Sequence, residues 1–74
     1  MSFSKAEFAA NLRAERARRG ISQRELADMV GMSPDAIVKY ESAKGYVPGA
    51  DKVYALCAAL NISPNDLLGW KQSA

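Results

Sequence analysis

The sequence predicts an all-α fold, a compact domain of five helices in which the second and third form a helix-turn-helix. Apolar residues recur at helical spacing, and no segment shows the alternating pattern of a strand. With 74 residues, the chain supplies apolar side chains for one hydrophobic core but not for two. We therefore predict a single domain over residues 1–74, with an ordered core over about residues 6–69 and a flexible tail over residues 71–74.

The strongest local signals lie within residues 22–41. Ser22 and Glu25 match the Ser-x-x-Glu capping box that opens a helix. Gly31 ends this helix, because glycine adopts the left-handed conformation without steric cost. Ser33 then caps a second helix that has proline at its first position. Helices joined by so short a turn must cross steeply, which predicts a helix-turn-helix.

The other three helices are predicted from apolar periodicity and from the capping residues beside them. The first covers Lys5–Arg19, the fourth covers Ala50–Leu60, and a short fifth helix lies within residues 63–68. Residues 42–49 lack helical periodicity and contain two glycines and a proline. This composition predicts a loop between the third and fourth helices.

Arginines are concentrated within residues 13–24, although the net charge of the chain is only +2. They are Arg13, Arg16, Arg18, Arg19 and Arg24, with Glu15 as the one acid among them. This cluster indicates either a solvated helix C-terminus, where cations complement the dipole, or a surface that faces phosphates. Arg16 also lies on the apolar stripe of Phe8 and Leu12, and a buried charge requires a partner.

The chain contains one cysteine and no histidine. Cys57 lies on the apolar stripe of the fourth helix, which favours a small core residue over a reactive thiol. One cysteine excludes an internal disulfide, and without histidine there is no ligand set for a structural zinc site. We predict that the protein is not an enzyme and needs no metal or cofactor. No apolar run approaches the ~18 residues of a membrane span, and no signal peptide is recognisable, so we expect a cytoplasmic protein that does not enter a membrane.

Residues at fixed spacing along residues 6–69 match a known family. They are Arg16, Gln23, Leu26, Ala27, Gly31, Ile37, Glu41, Pro48, Leu60, Leu67 and Leu68. In these positions and in its order of helices the chain resembles the lambda-repressor-like (Xre-type) helix-turn-helix transcriptional regulators. The resemblance implies a sequence-specific regulator of double-stranded DNA, expected to be a repressor that binds an inverted-repeat operator as a homodimer. It further implies a bacterial or phage-encoded protein associated with the nucleoid.

The resemblance also assigns roles to individual residues. It pairs Arg16 with Glu41 in a salt bridge and places the third helix in the major groove. The residues expected to face base edges are Pro34, Asp35, Ala36, Val38 and Lys39. The residues expected to bind phosphate are Ser22, Gln23, Ser33, Ser42, Lys44 and Tyr46. Alternatives are a helix-start role for Pro34, a dipole-complementing role for Asp35, and packing of Tyr46 against the core.

The fifth helix is the expected dimer surface, because Leu67, Leu68 and Trp70 exceed what so short a helix needs for its own core. The alternative is that Trp70 covers the core of the monomer. No ligand-binding or protease domain is recognisable, so control is expected to come from concentration, dimerisation or an antagonist protein.

A second function is compatible with the same fold. Residues 34–38 carry few hydrogen-bonding side chains, which favours a protein-interaction module, antitoxin-like or bridging to a polymerase, with weak DNA binding. Gln23, Lys39, Lys44 and the arginines favour DNA.

Overall fold

Five helices make up the computed structural model, which describes residues 3–42, 44 and 46–70. They are α1 (Lys5–Arg18), α2 (Gln23–Val30), α3 (Pro34–Glu41), α4 (Ala50–Leu60) and α5 (Pro64–Leu68). The described residues contain no strand, and the predicted all-α fold is confirmed. The predicted flexible tail at residues 71–74 lies outside the described residues.

Serine caps determine where four of the helices begin. Each hydroxyl oxygen accepts a hydrogen bond from the backbone N–H three residues later, and the caps are Ser4, Ser22, Ser33 and Ser63. At Ser22 and Ser63 the acidic side chain three residues on also accepts from the N–H of the cap, which completes the capping box. Because these bonds satisfy backbone donors that the helix itself leaves unpaired, the helix starts follow from the sequence.

The turn between α2 and α3 depends on Gly31, whose φ of 69° lies in the left-handed region. Its N–H donates to the carbonyl of Ala27 and so closes the last turn of α2. Because α3 starts at Pro34, only three residues separate the two helices. The chain therefore ends α2 in the left-handed conformation of Gly31 and enters α3 within three residues.

We expect Gly31→Ala to lower the free energy of unfolding by about 1–2 kcal/mol, the cost of a left-handed L-residue. A Cβ built on Gly31 meets no atom within 4 Å, so no steric clash adds to that cost. Gly31→Asn should cost less, because asparagine tolerates this conformation. Urea denaturation measures both variants. Equal stability of Gly31→Ala and the unaltered protein would contradict the assigned role of the turn.

The hydrophobic core lies between α1, α4 and α5 on one side and the α2–α3 pair on the other. Its fully buried large side chains are Phe8, Leu12, Leu26, Ile37, Leu56, Leu60 and Leu67. Helix α4 is the most apolar element, but no helix among the described residues is long and apolar enough to cross a membrane. The packing leaves the outer faces of α2 and α3 to solvent, where Met29 and Val38 are about half exposed.

Candidate nucleic-acid interface

A buried ion pair joins the first helix to the end of the third. Nε of Arg16 donates to Oε2 of Glu41 over 2.6 Å, and Nη2 donates to Oε1 over 3.0 Å. Two parallel bonds of this kind are the strong, geometrically specific form of an arginine–carboxylate contact. The side chain of Glu41 is 3% exposed and that of Arg16 is 20% exposed. The structure therefore contains the ion pair that the resemblance implied.

Three further hydrogen bonds involve the side chains of this pair or the backbone of Glu41. Nε2 of Gln23, at the start of α2, donates to Oε1 of Glu41 over 3.1 Å. Nη1 of Arg16 donates to the carbonyl of Ile21 over 2.9 Å. Arg13, one turn before Arg16, donates through Nη1 to the backbone carbonyl of Glu41. The C-terminal end of α3 is thus bonded to α1 and to the start of α2, which holds its orientation in the domain.

The electrostatics of the cluster favour the charged pair. The hydrogen bond to Glu41 raises the pKa of the Arg16 guanidinium above its ordinary value; desolvation opposes this rise, and the charge of Glu41 adds to it. Among the described residues, no buried side-chain nitrogen or oxygen lacks a hydrogen-bond partner. A buried pair with all its polar atoms satisfied is expensive to break from one side only.

The N-terminus of α2 keeps donors that no protein group uses. The capping box satisfies the N–H groups of Ser22 and Glu25, but within the described chain those of Gln23 and Arg24 have no protein acceptor. The Ser22 hydroxyl accepts from the Glu25 N–H and retains its own proton. The Gln23 amide uses one N–H on Glu41 and has a second, since its NH₂ group carries two donors. These donors surround the positive end of a helix dipole.

Most of the predicted base-reading residues form the outer face of α3. Pro34, Asp35, Val38 and Lys39 are exposed, and Ala36 is half-buried. Pro34 occupies the first position of the helix and lacks an N–H, as the alternative role at the helix start requires. The face therefore offers one carboxylate, one ammonium group and apolar surface.

Among the predicted phosphate-binding residues, Ser33 precedes α3, and Ser42 and Lys44 follow it. The Ser33 hydroxyl accepts from the N–H of Ala36 and keeps its proton, whereas the Ser42 hydroxyl donates its proton to the carbonyl of Lys39 over 2.8 Å. Lys44 is exposed. A phosphate contact by Ser42 would require its hydroxyl to leave the end of α3.

Tyr46 contacts Lys39 rather than the core. It is 51% exposed, and Nζ of Lys39 lies 5.9 Å from the centroid of its ring. This distance falls within the range of about 6 Å for a cation–π interaction. The alternative that Tyr46 packs against the core is not what the structure shows, since the core contact in this segment is made by Val47.

Within the described residues, the arginine cluster is largely occupied by contacts inside the domain. Arg13 and Arg16 bind Glu41, and Arg18 and Arg19 each pair with Glu15 over 3.1 Å. Arg13 and Arg16 therefore serve the contact with the end of α3. Arg18 and Arg19 lie at the C-terminal end of α1, where the first of the two predicted roles places them. The side chain of Arg24 makes no hydrogen bond or ion pair with the described residues.

The structure separates the three residues assigned to a dimer surface. Leu67 is fully buried in the core of its own chain, so its assignment to a dimer surface is corrected: it has no exposed area to offer a partner. Leu68 lines an apolar groove of about 500 Å³ together with Phe3, Val53 and Tyr54. Trp70 is 57% exposed and lines a separate, polar depression on the α1 side of α5. Sequence periodicity did not reveal the groove, because it is built by residues from the chain start, the loop before α4, α4 itself and α5.

Cys57 is buried in the core, and burial, together with the negative charge of Asp66, raises the pKa of its thiol. A protonated, inaccessible thiol is a poor nucleophile. No group of three or more candidate metal-ligating side chains lies together in the part of the chain that the structure describes.

Comparison with protein families identifies this arrangement. The helix-turn-helix family model HTH_3 matches residues 12–67. The chain belongs to the lambda-repressor-like (Xre-type) helix-turn-helix family. This is a family of DNA-binding transcriptional regulators rather than enzymes, and the resemblance drawn from the sequence is confirmed. Curated protein sequences contain no match to the chain.

Solved structures of helix-turn-helix regulators are similar over most of the chain. The P22 c2 repressor bound to a synthetic operator has 34% identity and a TM-score of 0.79, with 86% of this chain and 96% of that chain covered. The restriction-modification controller protein C.AhdI from Aeromonas hydrophila has 27% identity and a TM-score of 0.79, with coverage of 85% and 94%. The SOS-response repressor LexA from Eubacterium rectale has 31% identity and a TM-score of 0.79, with coverage of 96% and 78%.

Proposed function

We propose that this helix-turn-helix protein is a repressor that binds an inverted-repeat operator as a homodimer, with α3 in the major groove of double-stranded DNA. The observation that carries the proposal is the bond between Gln23 and Glu41. This bond joins the N-terminus of α2, which has unused hydrogen-bond donors, to α3, whose outer face is exposed. Phosphate contacts position a protein on DNA, and base contacts supply sequence preference, so both parts are needed on one rigid element.

Phosphate binding is assigned first to the α2 N-terminus. The unpaired N–H groups of Gln23 and Arg24, the Ser22 hydroxyl and the second amide N–H of Gln23 are donors beside a positive dipole end. Lys44 extends this contact beyond the C-terminal end of α3, and Ser33 adds a hydroxyl donor at its start. A duplex that lies across α3 would meet these groups on both sides of the groove.

Base reading is assigned to the outer face of α3. The Asp35 carboxylate is suited to the N4 amine of cytosine, and Lys39 is suited to O6 and N7 of guanine. Ala36 and Val38 offer methyl groups for contact with the thymine methyl. Pro34 has no N–H to donate, so its assigned contribution is a van der Waals contact with the base edges. With only two charged readers, part of the preference is proposed to come from the shape of the DNA.

The homodimer is assigned to the apolar groove beside Leu68, with Trp70 at the other side of α5. Phe3 is 50% exposed and Tyr54 is 76% exposed, so this face presents aromatic surface that the monomer does not bury. Aromatic residues concentrate in the centres of protein interfaces. A symmetric dimer presents two copies of α3 to half-sites about one helical turn apart.

We expect Tyr54→Arg to abolish dimerisation and to weaken operator binding, because a charge would be buried at the centre of the dimer interface. Since Tyr54 is exposed, the fold of the monomer should remain intact. Ala14→Arg adds the same charge at an exposed position of α1 and is the matched control. Sedimentation velocity over a range of concentrations measures the effect. An unchanged dimer in Tyr54→Arg would show that the interface lies elsewhere.

The names of the similar structures agree with this proposal. The P22 c2 structure is a repressor on a synthetic operator, and C.AhdI is a controller protein of a restriction-modification system. We extend the proposal to a bacterial or phage-encoded regulator in the cytoplasm, whose operator occupancy is set by its concentration, its dimerisation or an antagonist protein.

Selection of sequences from a random duplex pool tests the proposal. The purified protein is expected to enrich an inverted repeat whose half-sites are about one helical turn apart. The second candidate function, a protein-interaction module, is favoured only by the few polar groups of α3. That function predicts that no common sequence is enriched.

A further inference from the structure

Lys39 and Asp35 carry opposite charges at neighbouring positions on the outer face of α3. An acid four residues before a lysine is the favourable order for an ion pair within a helix. Nevertheless, the ion pairs among the described residues do not include Asp35, and Nζ of Lys39 lies over the ring of Tyr46 instead.

The backbone that follows Tyr46 is anchored to the domain, and so is the end of α3 that carries Lys39. Val47 packs against the core and Pro48 is buried, so the backbone after Tyr46 is anchored to the domain. On the helix side, the N–H and the hydroxyl of Ser42 both bind the carbonyl of Lys39, which holds the end of α3 in place. The contact between the Lys39 ammonium group and the Tyr46 ring therefore joins the end of α3 to the segment that Val47 anchors.

We propose that Tyr46 is a positioning residue for DNA recognition: its ring holds Lys39 away from Asp35. Both charged groups then remain available to base edges. Without the ring, Lys39 pairs with Asp35, and each charge is neutralised before DNA arrives. This role differs from a phosphate contact by the Tyr46 hydroxyl, because it requires the ring and not the oxygen. It rests on the proposed DNA-binding function and names a residue that controls its specificity.

The free protein provides the first test. The ε-methylene protons of Lys39 lie close to an aromatic ring, so their NMR signals should be shifted upfield by the ring current. Tyr46→Phe should keep this shift, and Tyr46→Leu should remove it. Signals that are identical in the unaltered protein and in Tyr46→Leu would overturn the proposal.

Binding to the selected operator provides the second test. Tyr46→Leu should weaken specific binding about two- to fivefold, the effect of an exposed cation–π contact, and should relax the base preference that Lys39 supplies. Tyr46→Phe should retain most of the affinity that Tyr46→Leu loses. In a Lys39→Ala background, Tyr46→Leu should have little further effect, because the group that it positions is already gone.

Two results would contradict the positioning role in this second test. Equal losses in Tyr46→Phe and Tyr46→Leu would indicate that the hydroxyl contacts DNA directly. Additive losses in the double variant would show that Tyr46 acts independently of Lys39. If the random pool yields no sequence at all, the proposed function fails and the positioning role fails with it, although the ring-current shift would still establish the Lys39–Tyr46 contact.

Discussion

Glu41→Gln is expected to lower the free energy of unfolding by about 3–5 kcal/mol, the cost of leaving one member of a buried ion pair without its partner. The change removes the negative charge that faces the Arg16 guanidinium, whose side chain is only 20% exposed. A 74-residue domain has a total stability of about 4–11 kcal/mol, so a large share would be lost. Thermal denaturation should show a fall in Tm of more than about 10 °C.

Glu15→Gln is the matched control for this prediction. It also removes a carboxylate from an ion pair. The Glu15 side chain is 12% exposed, but its partners Arg18 and Arg19 are 70% and 31% exposed, so their charges stay hydrated when the carboxylate is lost. Pairs that include exposed arginines contribute about 1 kcal/mol or less. If Glu41→Gln were no more destabilising than Glu15→Gln, the cluster would not be what holds α3 in place.

The double variant Arg16→Met with Glu41→Leu tests whether the stability of the domain depends on the charges of the pair or on the volume that its side chains fill. Replacing both members by apolar residues removes the unpaired charge, so this variant should be more stable than Glu41→Gln. Gln23 would lose its acceptor, and operator binding should therefore remain weaker than in the unaltered protein.

The second large effect is expected in DNA binding, where Lys39→Ala and Gln23→Ala should weaken the complex in different ways. Lys39→Ala should weaken binding to the selected operator by about 1–3 kcal/mol and relax the preference at one base pair. Gln23→Ala should weaken binding to all duplexes, because the phosphate contact that it removes carries no sequence information. It also removes the hydrogen bond to Glu41 at the end of α3, so the loss on the operator should be at least as large as on a scrambled duplex. Binding to the operator and to a scrambled duplex measures both variants, with urea denaturation as a check of folding. Unchanged operator affinity in both variants would contradict the site assignment.

The number, order and limits of the helices could be predicted because the sequence signals for them are local. A serine cap or a left-handed glycine such as Gly31 acts on residues within one helical turn. The limits of the helices could therefore be predicted to within about a residue. The need for a partner to Arg16 could be predicted because this arginine lies on the apolar stripe of Phe8 and Leu12. The identity of that partner, Glu41, came from the resemblance to the family.

The features that could not be predicted depend on contacts between distant segments. Arg13 binds a backbone carbonyl, an acceptor that every residue carries and that no sequence pattern marks. Helix α5 has five residues, little more than one turn, so periodicity could not show that Leu67 faces inward while Leu68 lines a groove. The Lys39–Tyr46 contact depends on a side-chain rotamer and on the path of a loop.

The dependence of operator affinity on salt is the most direct measure of the central claim, that α2 and α3 hold double-stranded DNA. Two copies that each bring the cations Lys39 and Lys44 against the duplex displace about four counterions from it, whether a lysine bonds a base edge or a phosphate. The logarithm of the binding constant should therefore fall with the logarithm of salt concentration with a slope steeper than about −3. A slope near zero, as an apolar protein interface would give, would contradict the claim.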